Sequence, residues 1–302
     1  MNACKLCFVL LSAVASAAAS AWAQVSPAAP PPTDAAASVS GEDLSPASDP
    51  FHFSFAPYMW LTSISGDISV RNITVDADVD FASIVDASDS VFGLMGAIDI
   101  EYKGFVAQFN AAWSEVEFSG SRAFARNGTL SADVTMDTAW IEAFAGYRFL
   151  ERSLGTDASA RRRVTLDGFV GARFTMIDVD ATFTARESLT LPNGEMLTAG
   201  QTADRDQSES WFEPFIGARL GLDLSENWSL NLRGDIGGFG ISGADFSWQV
   251  AALAGYRWHL DGWAIGVFGG YRVLSQDYSS DDFAWDAITH GPLLGAQFSW
   301  RF

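Results

Sequence analysis

From Leu294 onward every even position is apolar: Leu294, Ala296, Phe298, Trp300 and Phe302. Gly295, Gln297, Ser299 and Arg301 alternate with them. Side chains that change face at every residue define a β-strand with one greasy and one polar surface. The same alternation fills the chain upstream. Phe246, Trp248, Val250, Ala252, Ala254, Tyr256, Trp258 and Leu260 share one face, with Ser247, Gln249, Gly255, Arg257 and His259 on the other. Beyond Asp261-Gly262, the residues Trp263, Ile265, Val267, Tyr271 and Val273 oppose Ala264, Gly266, Gly270 and Arg272. Ten such segments are expected, at about 51–64, 91–103, 104–119, 130–150, 163–184, 210–225, 227–240, 245–260, 262–278 and 288–302. Most exceed the roughly 9–11 residues with which a tilted strand crosses a bilayer.

The N-terminus sets the compartment. Lys5 precedes an apolar stretch from Leu6 to Ala19, and Ala21-Trp22-Ala23 is a small-x-small cleavage site after an h-region too short to span. Residues 1–23 are therefore expected to be a cleaved signal peptide, and 24–50, rich in Ala, Pro and Ser, a disordered lead. Cys4 and Cys7 both fall in the signal, so no disulfide or thiol chemistry is expected of the mature chain. After the signal no unbroken apolar run is long enough for a membrane helix. The fold class that remains is all-β: one closed antiparallel transmembrane barrel over 51–302, in the bacterial outer membrane.

Loop lengths agree. With the chain starting in the periplasm, the periplasmic turns fall at Lys103-Gly104, 151–162, Ser225-Glu226-Asn227 and Asp261-Gly262. The external loops fall at 65–90, 120–129, 185–209, 241–244 and 279–287, and are mostly longer, as in outer-membrane barrels. Trp228, Trp258 and Trp263 border the periplasmic turns, and Trp113 and Trp248 stand toward the outer rim, as aromatic belts require. The last strand, closing on Phe302, resembles the segment by which such barrels are recognised, so the barrel-assembly machinery is an expected partner, with outer-membrane lipid and lipopolysaccharide.

Parity also assigns the inner face. Asp99, Glu101, Glu142, Asp167, Glu213 and Asp235 share it with Arg148, Arg173, Arg219, Arg233, Arg257, Arg272 and Arg301. A repeated triplet, as in Gly146-Tyr147-Arg148, Gly217-Ala218-Arg219 and Gly270-Tyr271-Arg272, puts Gly and Arg inside and the middle residue outside. Charges of both signs in a narrow barrel are expected to pair across it. Two readings stay open: a salt-bridged core that holds the barrel closed, or a lined path for small solutes. In the first external loop, Val75, Ala77 and Val79 alternate with Asp76, Asp78 and Asp80, and 81–86 reads as a short helix. Phe81, Ile84 and Val85 would then plug the mouth. The three aspartates lack the Gly and Glu of a calcium loop, so no metal is expected, and no cofactor.

Several stretches together, Ala56-Pro57-Tyr58-Met59-Trp60-Leu61, 75–84, 211–219, 234–240 and Gly291-Pro292-Leu293-Leu294-Gly295, resemble a widespread family of uncharacterised proteobacterial outer-membrane β-barrel proteins. The resemblance covers most of the chain after residue 50; it implies the fold and no activity. No catalytic residue is assigned and no enzyme is expected. His52 and His259 lie near periplasmic ends, His290 has lipid-face parity, and no Gly-x-Ser-x-Gly elbow or His/Cys cluster occurs. An outer-membrane hydrolase is the last alternative, resting on a bulge at Gly291-Pro292 that would turn His290 inward. A formal net charge of −19 excludes nucleic acid as a partner.

Overall fold

The computed structural model describes residues 51–70, 73–124, 128–154, 162–185, 189–190, 196–197 and 202–302. The expected signal peptide and lead lie outside the described residues. Strand order in the chain is β1 (His52–Trp60), β2 (Ser63–Val70), β3 (Ile73–Val79), then helix α1 (Phe81–Ala87) and β4 (Ser90–Tyr102). There follow β5 (Phe105–Phe124), β6 (Gly128–Ser153), β7 (Arg163–Ala185) and a two-residue pair, β8 (Leu189–Thr190) with β9 (Met196–Leu197). The chain ends with β10 (Thr202–Asp223), β11 (Trp228–Ile241), β12 (Ala244–Leu260), β13 (Trp263–Ser279) and β14 (Phe283–Arg301).

Ten strands close the barrel in the order β1-β4-β5-β6-β7-β10-β11-β12-β13-β14, with β14 returning antiparallel to β1. Closure leaves the transmembrane wall without an edge, which the bilayer requires because it offers no water to unpaired amides. The short turns gather at one end. Lys103 and Gly104 both take positive φ, 50° and 80°, the geometry whose twist suits a two-residue hairpin.

The outward face carries the hydrophobic surface that in water would drive aggregation. Met59, Phe105, Val170, Ile216 and Leu294 are exposed, and Leu94 is 71% so. On β10 this belt runs from Phe212 to Leu222, one bilayer crossing. Its outer border is a register line: Glu115 faces Asp137, Asp137 faces Asp178, and Asp178 faces Ser208 across four adjacent strands. Trp113 sits at this border and donates its indole N–H to Asp137 at 3.1 Å. At the other end Trp228, Tyr256 and Trp258 form edge-on contacts of 5.2 and 4.9 Å, a periplasmic girdle.

Several boundaries differ from expectation, and β14 begins at Phe283, inside the expected loop 279–287. Strands β5, β6, β7 and β10 run well past the belt, so much of the expected loops 120–129 and 185–209 is strand. Outside the membrane both faces meet water, so the apolar alternation stops while the hydrogen-bonded ladder continues. The first strand ends at Trp60 instead of 64, because Pro292 on β14 has no N–H to give. Only Leu61 N–H bonds back to Pro292, at 3.0 Å, and pairing resumes with β2 on the outer half of β14.

The loop 65–90 thus becomes a hairpin that widens the wall, followed by α1. Asp80 caps that helix, accepting from the Ser83 N–H and hydroxyl at 2.9 Å each, and those bonds hold its carboxyl below the usual range. A depressed carboxylate adds stability above its unfolded pKa and loses it as pH falls through the folded one, so α1 frays in acid. The expected plug is not formed: α1 buries none of its residues, and Val85 is 45% exposed. Phe81 and Ile84 are only half-buried. What the loop does supply is Ile64 and Ile68 of β2, packed on the aromatic cluster inside the mouth.

Candidate functional site: the charged lumen

All thirteen charged residues that parity turns inward are buried in the barrel or line its cavity. They stack in three tiers. The middle tier centres on Arg173, which is 0% exposed and bonds Glu142 at 2.7 Å, Asp235 at 2.9 Å and Glu213. Arg233 reaches Glu142 and Asp235 at 3.1 and 3.0 Å, and Arg272 reaches Glu142 at 2.7 Å. Three guanidiniums thereby meet three carboxylates. Glu142, Glu213 and Asp235 each lie within reach of an inward arginine. Arg233 serves two of them; Arg148 and Arg219 belong to the tier below.

Glutamines complete the set. Gln249 accepts from Arg272 at 2.7 Å and donates to Asp235 at 2.9 Å, while Gln276 donates to Thr175 and Glu213. They carry no charge, so a search for ion pairs passes over them, although their parity is inward.

The lower tier joins Arg148 to Asp167 at 2.8 Å and Glu101 at 2.9 Å, and Arg219 to Asp99 at 2.7 Å and Asp167 at 3.0 Å. At the periplasmic mouth Arg163 pairs with Glu151 and Asp223, and Arg257 pairs with Asp223. Arg163, Glu151 and Asp223 stand at strand ends, where a shift of one or two residues in the expected boundary removes them from the wall.

Between the middle and lower tiers lies a seam of three rings. Phe144 stacks on Phe169 at 4.2 Å, and Phe169 meets Phe215 edge-on. Arg233 sits over all three rings, at 5.1, 5.4 and 5.5 Å from their centroids. The inward glycines make this possible. A Cβ on Gly217 would lie 2.6 Å from the Phe169 ring, and one on Gly171 would lie 2.6 Å from Phe215. Gly171 and Gly217 therefore seat phenylalanines. Gly217→Ala is expected to lower barrel stability by about 1–3 kcal/mol through overpacking, read as a lower urea midpoint for the unboiled gel-shifted form.

Above the middle tier buried aromatic side chains line the lumen. Trp60 and Trp140 lie 5.5 Å apart, with Arg272 over Trp60 at 4.4 Å. Farther out Trp211 stacks on Tyr278 at 4.4 Å and borders Trp285, with Phe283 behind. Below, the lumen holds a cavity of 310 Å³ that extends from the mouth to Tyr58, Arg272 and Leu293. The cavity is thus a vestibule that opens at the periplasmic end and lies below the buried tryptophans.

His290 faces outward, its Nδ1 2.7 Å from the Tyr271 hydroxyl, so Gly291-Pro292 does not reverse the parity. Among the described residues no group of three His, Cys, Asp or Glu is arranged to hold a metal, and no helix is long and apolar enough to cross a membrane.

No family model and no curated protein matches the sequence. Solved structures with a similar fold include outer membrane protease OmpT from Escherichia coli, at 13% identity and TM-score 0.40 over 86% of this chain and 99% of that one. The translocator domain of autotransporter NalP from Neisseria meningitidis gives 12% and 0.35 over 83% and 87%. Ail, the attachment invasion locus protein of Yersinia pestis, gives 10% and 0.30 over 83% and 99%. The closed ten-strand wall with its outward apolar belt is that of a protein of the bacterial outer membrane.

Proposed function

We propose that the protein is a closed, non-catalytic outer-membrane barrel whose role is structural or surface-interacting. The observation that carries this reading is Arg173, wholly buried and bonded to carboxylates from β6, β10 and β11. A side chain so held is a cross-tie, and the buried tryptophans beyond it support a closed path. The strands continue past the belt with acidic residues outward, Asp133, Asp180, Asp206 and Asp286 among them, and this collar is the surface offered to partners. At that height the partners in reach are lipopolysaccharide headgroups, whose phosphates meet carboxylates through divalent cations. Insertion through the strand ending at Phe302 remains part of the same proposal. The absence of catalysis is argued from the histidines: His290 is tied to Tyr271 on the lipid face, and His52 and His259 stand at the periplasmic rim.

The second reading, a small-solute channel, is favoured by the vestibule, which already occupies half the path. Planar-bilayer recording separates the two. The intact protein is expected to give no steady conductance; large, stable steps would overturn the closed-barrel reading and put the channel first.

A further inference from the structure

The periplasmic mouth has a charge imbalance of its own. Arg163, Arg257 and Arg301 stand there against Asp223 and Glu151. Asp223 is shared by Arg163 and Arg257, and Glu151 lies with Arg163 and Arg148. Among the described residues no carboxylate comes within 4.0 Å of Arg301. Two further nitrogens are buried without a hydrogen-bond partner, Arg257 Nε and His52 Nδ1. Unmet donors of this kind are costly in a protein wall unless something fills them.

His52, Arg257 and Arg301 face one space. His52 on β1 is directly opposite Arg301 on β14, and Arg257 lies on β12, beyond the intervening β13. On that strand the inward residues are Ala264 and Gly266, so nothing bulky separates the long side chains on either side. His52, Arg257 and Arg301 line both the 310 Å³ cavity and an adjoining recess of 200 Å³.

We propose that this mouth is a binding site for a compact phosphate-bearing anion, held by the guanidiniums of Arg257 and Arg301 with His52 as a third donor. Planar guanidinium forks suit a tetrahedral oxyanion, which offers acceptor oxygens in more directions than a carboxylate does. The tier above fixes how deep the anion goes. There Asp99, Glu101 and Asp167 outnumber Arg148 and Arg219, so the field reverses and the anion stops at the mouth. The group arrives on a periplasmic solute or on a phospholipid headgroup at the inner leaflet; the chemistry is shared.

The test is calorimetric titration of the full-length barrel in a neutral detergent, with sodium glycerol phosphate and with short-chain phosphatidylglycerol, each against sodium chloride at equal ionic strength. Saturable binding at one site is expected, weakened about tenfold or more in Arg257→Gln and in Arg301→Gln. Arg152→Gln, exposed near the periplasmic end of β6 and outside the cavity lining, is expected to leave it unchanged. Binding of glycerol phosphate assigns the site to solutes, and binding of the lipid alone assigns it to headgroups; both support the proposal. Heat-modifiable migration checks folding, and His52→Ala stands in if Arg301→Gln, near the closing strand's end, does not assemble. No saturable heat beyond chloride with either probe, or equal affinity in the folded arginine variants, overturns it.

Discussion

Arg173→Gln is expected to lower the stability of the folded barrel by about 3–5 kcal/mol, the cost of leaving buried charge without its partner. Three carboxylates converge on this guanidinium, and two of them, Glu142 and Asp235, keep Arg233 as a second cation. Among the described residues no other arginine reaches Glu213, which keeps the Gln276 amide. The loss should therefore concentrate on Glu213. Adding Glu213→Gln to the variant is expected to restore a large part of it, whereas Glu213→Gln alone should cost less than Arg173→Gln. Urea titration in detergent micelles, followed by the gel shift of unboiled samples, reads all three. A midpoint for Arg173→Gln close to that of the parent would mean that water reaches the tier, and the dry cross-tie would have to be abandoned.

The wall was legible in the sequence because the bilayer enforces parity. Every residue between Phe212 and Leu222 must face lipid or lumen, so the alternation that exposes Ile216 also buries Phe215 and turns Arg219 inward. Above the belt that constraint lapses, and 202–209 reads as loop although it is strand. Parity says which way a side chain points but not how far along the barrel axis it meets another. That distance depends on strand stagger, which sequence does not carry. Hence Glu142 was placed inside without its partners Arg173 and Arg272, and the tiers became visible only with the register. The plug failed for a related reason. Phe81, Ile84 and Val85 have helical spacing and apolar character, but the space they were meant to fill is already taken by Trp211, Tyr278 and Trp285 from the wall.

That occupancy leads to the second large effect. If aromatic side chains of the strands close the outer half, deleting 72–88 should leave the protein electrically silent, since α1 buries nothing and Val85 faces solvent. Opening the path instead requires removal of Trp60, Trp140 and Trp285, which stand between the vestibule and the outer mouth. Trp60 and Trp140 cap the vestibule where Arg272 lies under Trp60, and Trp285 belongs to the next layer out. Truncation of a packed Trp to Ala costs about 3–5 kcal/mol, and three together endanger folding unless water enters the space and the closed β-ladder holds. The triple variant is therefore refolded first and accepted only if it shows the gel shift. Such a barrel is expected to conduct in discrete steps, and to favour cations, because the opened route passes the excess carboxylates Asp99, Glu101 and Asp167. Conductance appearing on deletion of 72–88 alone would return the gate to the first loop, and silence of the folded triple variant would show that the charged tiers block the lumen without help from the tryptophans.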